Sequence, residues 1–116
     1  MKTEQLQIIN KDTIKQLIGD NSHEIDSFYQ QFLQQAKTSL KKLADYYQQS
    51  AFNELRNEAH YLKTSATAVG AERCSYCLQQ LEFSSHALDK EQCKTHLQSL
   101  SHAIKEVFYA LSHQSN

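Results

Sequence analysis

The sequence predicts an all-α fold, an antiparallel up-down-up-down four-helix bundle with a short additional N-terminal helix, and three observations carry that expectation. The 116 residues contain no proline and only two glycines. The abundant residues, Leu, Gln, Ala, Ser, Lys and Glu, mostly sit comfortably in helices and rarely specify sheets. Apolar side chains recur in steps of three and four along the chain, the spacing of a buried helix face. A chain of this length can bury a core without metal or disulfide staples, so residues 1–116 are expected to form one domain.

The punctuation sets the elements. A short helix over residues 11–18 should stop at Gly19-Asp20-Asn21, and Asn21, three residues before Glu24, resembles a capping box that starts a long helix. Its expected stripe is Ile25, Phe28, Phe32, Ala36, Leu40, Leu43 and Tyr47, ending near Gln49. Ser50 can cap the next helix, with stripe Phe52, Leu55, Ala59, Leu62, Ala66 and Val69, which Gly70 terminates because glycine takes the left-handed conformation cheaply. A further helix begins near Ala71 and carries Cys74, Leu78 and Leu81, with Cys77 beside them. The last opens at Asp89, with Gln92 three residues on, and runs through Cys93, Leu97, Leu100, Ile104, Phe108 and Leu111. Short connections between amphipathic helices give antiparallel neighbours, with the N-terminal helix covering one end.

Composition excludes several classes of function. The formal charge is −1 and the basic residues are dispersed, so the electrostatic footprint of a nucleic-acid binder is missing. No stretch approaches the roughly 20 apolar residues of a membrane span. MKTEQLQIIN lacks the apolar segment of a secretory signal, and three cysteines, an odd number, suit a reducing compartment, so a cytoplasmic location is expected. No paired carboxylates, glycine-rich phosphate loop or Ser-His-Asp set suggests an autonomous enzyme or kinase.

The histidine of HYLKTSATAVGA, residues 60–71, is the candidate for chemistry. On a helical wheel the apolar stripe of its helix centres roughly 130° from His60, which directs the ring to solvent or to a groove edge. Asn53, Arg56, Asn57, Lys63, Thr64 and Thr67 share its side, so the surrounding face is polar, neutral or basic, and built of modest side chains C-terminal to the histidine. Neutral imidazole can act as a nucleophile through one nitrogen when a hydrogen bond at the other fixes the tautomer. Lys63 and Arg56 can attract a phosphoryl group held there.

AHYLKTSATAVGAERCSYCLQQLE, Ala59 to Glu82, resembles the core motif of histidine-containing phosphotransfer (HPt) domains of bacterial multistep phosphorelays. The shared features are Ala-His-x-Leu-Lys, small residues, a hydrophobic-Gly-Ala turn and a downstream helix ending in Leu-Glu. The resemblance implies that His60 is the phosphoacceptor through Nε2, that Lys63 stabilises the phosphoryl group, and that Gly70 makes the turn. It also implies that Glu82 orients the ring from Nδ1. The position after the lysine is often glycine in that family; here it is Thr64, whose bulk can narrow access or change which partner docks. Arg56, Asn57, Thr64 and Thr67 are the expected docking face, with adjoining residues of the first long helix and an apolar patch.

The function so implied is a stand-alone, monomeric relay intermediate. It takes a phosphoryl group from the aspartyl phosphate of a hybrid sensor kinase's receiver domain and passes it to the receiver of a response regulator. It has no cofactor of its own, and Mg²⁺ is expected on the partner receiver. Two other readings stand beside it. A helical adaptor would bind partners without phosphorylation, and a zinc-stabilised bundle would use Cys74, Cys77, Cys93 and His96, whose spacing fits a four-ligand site. His86, four residues after Glu82, is a further side chain that can face the phosphoryl site.

Overall fold

The computed structural model describes residues 5–112, which form α1 (Lys11–Ile18), α2 (Ser22–Gln48), α3 (Phe52–Val69), α4 (Glu72–His86) and α5 (Lys90–Ser112). The last four pack as a bundle in which each helix runs antiparallel to the next, and α1 lies across one end against α2 and α3. Leu43, Leu55, Leu62, Leu78, Leu81, Leu100 and Val107 are fully buried between the helices. Each such side chain contributes about 1.5–3 kcal/mol by leaving water. None of the described helices is long and apolar enough to cross a membrane.

Helix starts follow two different devices. Asn10, Asn21 and Asp89 accept backbone N–H bonds from Asp12, Glu24 and Gln92 at 3.1 Å each, satisfying donors that a helix end leaves orphaned. The starts of α3 and α4 lie at Ala51 and Ala71, which have no side chain to do this. Ser50 does not cap α3 as its type suggests. It ends α2 in the left-handed region at φ 53°, and its Oγ accepts from Lys90 Nζ at 2.6 Å. The same ammonium lies 4.7 Å above the Tyr47 ring, tying the end of α2 to the start of α5.

Two aromatic assignments to the core change. Tyr29 is buried on α2 where Phe28 was expected, and Val107 is buried on α5 where Phe108 was expected; Phe28 and Phe108 are exposed. The working stripe of α2 runs Ile25, Tyr29, Phe32, Ala36, Ser39 and Leu43, one even ridge of steps of three and four. Ser39 is acceptable on that ridge because its hydroxyl donates to Glu58 Oε2 of α3 at 2.7 Å.

Gly70 shapes the end of the bundle that α1 covers. It ends α3 at φ 80°, and an added Cβ would collide with Asn10 O and come within 2.9 Å of Thr13 Cβ. The close approach is used: Asn10 N–H donates to Gly70 O at 2.7 Å. Glu72 and Arg73, at the head of α4, hold the segment before α1. Glu72 accepts from Gln7 N and from Asn10 Nδ2, while Arg73 donates to Leu6 O and to Glu106 of α5. The uncapped first turn of α4 is satisfied in part by the same segment, since Arg73 N–H donates to Gln7 O at 3.3 Å.

Candidate functional site

The antiparallel pairing of α3 and α4 about Ala71 brings side chains equally far from the turn face to face. Three rungs result. Thr67 bonds Ser75 at 2.8 Å, His60 Nδ1 lies 3.0 Å from Glu82 Oε1, and Arg56 Nη1 lies 2.8 Å from His86 Nδ1. The middle rung is extended by Lys63, whose ammonium lies 2.6 Å from Glu82 Oε2.

The geometry fixes the chemistry of the ring. A carboxylate only accepts, so His60 Nδ1 carries the proton and donates, which leaves Nε2 as the lone-pair nitrogen. The His60 side chain is 65% exposed and the Glu82 side chain 16%, so the orienting group is sheltered while the ring stands out of the bundle. Ala59 and Leu62, beside and behind His60, are fully buried and lock the helix that carries it. The arrangement leaves a ring nitrogen chemically able to act as a nucleophile, on a rigid element, with a carboxylate behind and an ammonium at its side.

Thr64, Asn57, Arg56 and His86 lie around this pair on α3 and α4. Thr64 turns its hydroxyl onto His60 O at 3.2 Å, so its bulk is held against the helix backbone and the ring stays open. Asn57 is exposed on the same face. Arg56 is engaged by His86 and, more distantly, by Asn53 Oδ1 at 3.5 Å. His86 therefore meets Arg56, one turn of α3 before His60, rather than the ring itself. Because a guanidinium only donates, His86 Nδ1 is the acceptor there. The face centred on His60 is polar, and exposed aromatic surface flanks it as Tyr61 of α3 and Phe83 of α4. Beyond Thr67 a groove of about 490 Å³ opens between α3, α4 and the segment before α1, lined by Ser75, Tyr76 and Gln79 among others.

One link has no counterpart in the motif. Lys63 and Glu82 were expected to act separately, on the phosphoryl group and on the ring, yet they form an ion pair. Register about the turn does not announce it, since Glu82 lies eleven residues after Ala71, opposite His60, while Lys63 lies only eight before.

The cysteines take another course. Cys74 and Cys93 are buried, Cys77 half-buried, and Cys93 meets Ser85, eleven residues along α4 from Cys74, a rise of about 16 Å. The two halves of the zinc-like spacing are thus far apart, and among the described residues no three His, Cys, Asp or Glu side chains gather as a metal-ligating group. Burial pushes all three thiols up, away from the thiolate a metal ligand needs.

Comparison with known proteins matches the chain to a family. A family model described as the Hpt domain covers residues 27–113, most of the 116-residue chain and all of the His60 site. No curated protein and no solved structure matches the chain.

Proposed function

Since the chain belongs to the Hpt domain family, we propose that its His60 is the phosphoacceptor that links two receiver domains in a relay. Hpt domains carry out histidine phosphotransfer within the phosphorelays of two-component signalling, and their partners are receiver domains. In the proposed reaction a receiver carrying an aspartyl phosphate docks over α3. The Nε2 lone pair of His60 attacks phosphorus, the P–O bond to the aspartate breaks, and the receiver recovers its carboxylate. A second receiver, that of a response regulator, then removes the phosphoryl group by the reverse chemistry.

The observation that carries this reading is the 3.0 Å contact between His60 Nδ1 and Glu82 on a ring left largely open to solvent. It holds the tautomer whose Nε2 is nucleophilic, so no separate base is required at the moment of attack. We assign Lys63 to the developing phosphoryl charge, which it reaches from one turn away, and Arg56, Asn57, Thr64 and Thr67 to the docking face. Mg²⁺ belongs on the receiver, and the exchange is placed in the cytoplasm between a hybrid sensor kinase and its response regulator, with this protein as a monomer.

The test is incubation with a phosphorylated receiver, followed by phosphate mapping. The expected product is an acid-labile phosphoryl group on the wild-type chain that His60→Gln does not acquire. Transfer to the His60→Gln variant at the wild-type rate would refute the assignment.

A further inference from the structure

Glu82 serves two partners at once. Oε1 accepts from His60 Nδ1 at 3.0 Å, and Oε2 pairs with Lys63 Nζ at 2.6 Å. The consequence appears only after the phosphoryl group has arrived. Attack by the neutral ring leaves phosphorus on Nε2 while the proton stays on Nδ1, so the product is a phosphorylated imidazolium. When the Nε2–P bond later breaks, the electron pair returns to Nε2. With the Nδ1 proton in place the leaving group is neutral imidazole; without it the leaving group is an imidazolate, and the P–N bond persists.

Building on the assignment of His60 as phosphoacceptor, we propose that Glu82 retains the Nδ1 proton of the phosphorylated ring and that Lys63 sets how strongly it does so. The pair thereby controls how readily His60 gives the group away. Lys63 acts here through Glu82, as a positioning residue. A cation at Oε2 weakens the pull of the carboxylate on the Nδ1 proton. The phosphoryl group on Nε2 is a second anion that shares this ammonium without taking it from Oε2, so Lys63 still moderates the hold of Glu82 in the phosphorylated state.

The charged groups around the ring leave this pair in control. Arg56, a turn away on α3, is occupied by His86 and Asn53. Glu58, on the opposite side of α3, is bound to Ser39 of α2, and Lys42 of α2 lines the groove beyond Tyr61 with it. From α4 the carboxylate that meets the ring is Glu82.

The test needs no receiver. The full chain is phosphorylated with phosphoramidate, whose own P–N bond breaks to release ammonia, and loss of the phosphohistidine signal is followed by ³¹P NMR between about pH 5 and 10, spanning the range in which imidazole titrates. Loss is expected to slow as pH rises through deprotonation of Nδ1. Relative to wild type, the midpoint should fall by about one pH unit in Glu82→Gln, rise in Lys63→Met, and return towards wild type in Lys63→Arg. Circular dichroism of each variant verifies the fold, and the opposite shifts in Glu82→Gln and Lys63→Met cannot both come from a general loosening. Coincident midpoints with His60 labelled would overturn this proposal alone. Labelling that persists in His60→Gln and is absent from His60 would overturn the phosphoacceptor assignment, and this proposal with it.

Discussion

Cys74 shows how a side chain with reactive chemistry is silenced by its position. Burial pushes its thiol from 9.0 up to about 12, and Cys77 and Glu106 add to the rise. Above about pH 9 the unfolded chain loses this proton while the folded chain keeps it, so the unfolded state binds fewer protons and stability falls as pH rises. The contribution is fully present below the ordinary thiol range and is lost as pH climbs towards 12. Urea unfolding of Cys74→Ala should show a lower baseline, by about 1 kcal/mol for the smaller core side chain, and a shallower alkaline decline than wild type. Equal slopes for the two proteins would contradict the assignment. At the same scale, His60, Lys63 and Glu82 were legible in the chain as a motif, because each is a chemical type at a fixed spacing. Their joining by one carboxylate was not, since spacing along one helix says nothing of which oxygen meets which nitrogen.

The three turns between the bundle helices use the same closure. Each has a left-handed residue, Ser50, Gly70 or Leu88, with an N–H reaching back to the carbonyl three residues earlier, while the following N–H reaches five back. Only Gly70 announced its turn in the sequence. Ser50 reads as a cap and Leu88 as an ordinary helix former, because nothing in either side chain records a positive φ. Leu88, at φ 58° and 67% exposed, pays for this conformation with little packing in return. Leu88→Gly is therefore expected to stabilise the protein by about 0.5–1 kcal/mol, visible as a higher Tm. Gly70→Ala should do the reverse and more, because it adds the collision with Asn10 to the strain, and should loosen the segment before α1 in hydrogen exchange. An unchanged Tm in both variants would show that these turns are not strained. Elsewhere the elements were readable: Asn21 and Asp89 opened α2 and α5 where their types suggested. The choice of Phe28 and Phe108 for the core failed because hydrophobicity outranked register; Tyr29 and Val107 sit on the straighter ridge.

At the scale of the molecule, the bundle was legible because period, loop length and the lack of strand formers all pointed one way. The clasp of Gln7 and Asn10 on Glu72 was hidden, since its partners are more than sixty residues apart and share no pattern. What the bundle does with His60 follows from where it stands, near the middle of the eighteen-residue α3 and facing outward. Under the proposed relay His60 offers its regulators a single ring and the face around it, so an upstream and a downstream regulator exclude each other and must take turns. In a reconstituted pathway, signal throughput should rise and then decline as either regulator is added in excess, the mark of two ligands contending for a single berth. A steady climb to a plateau would mean that both can be seated together.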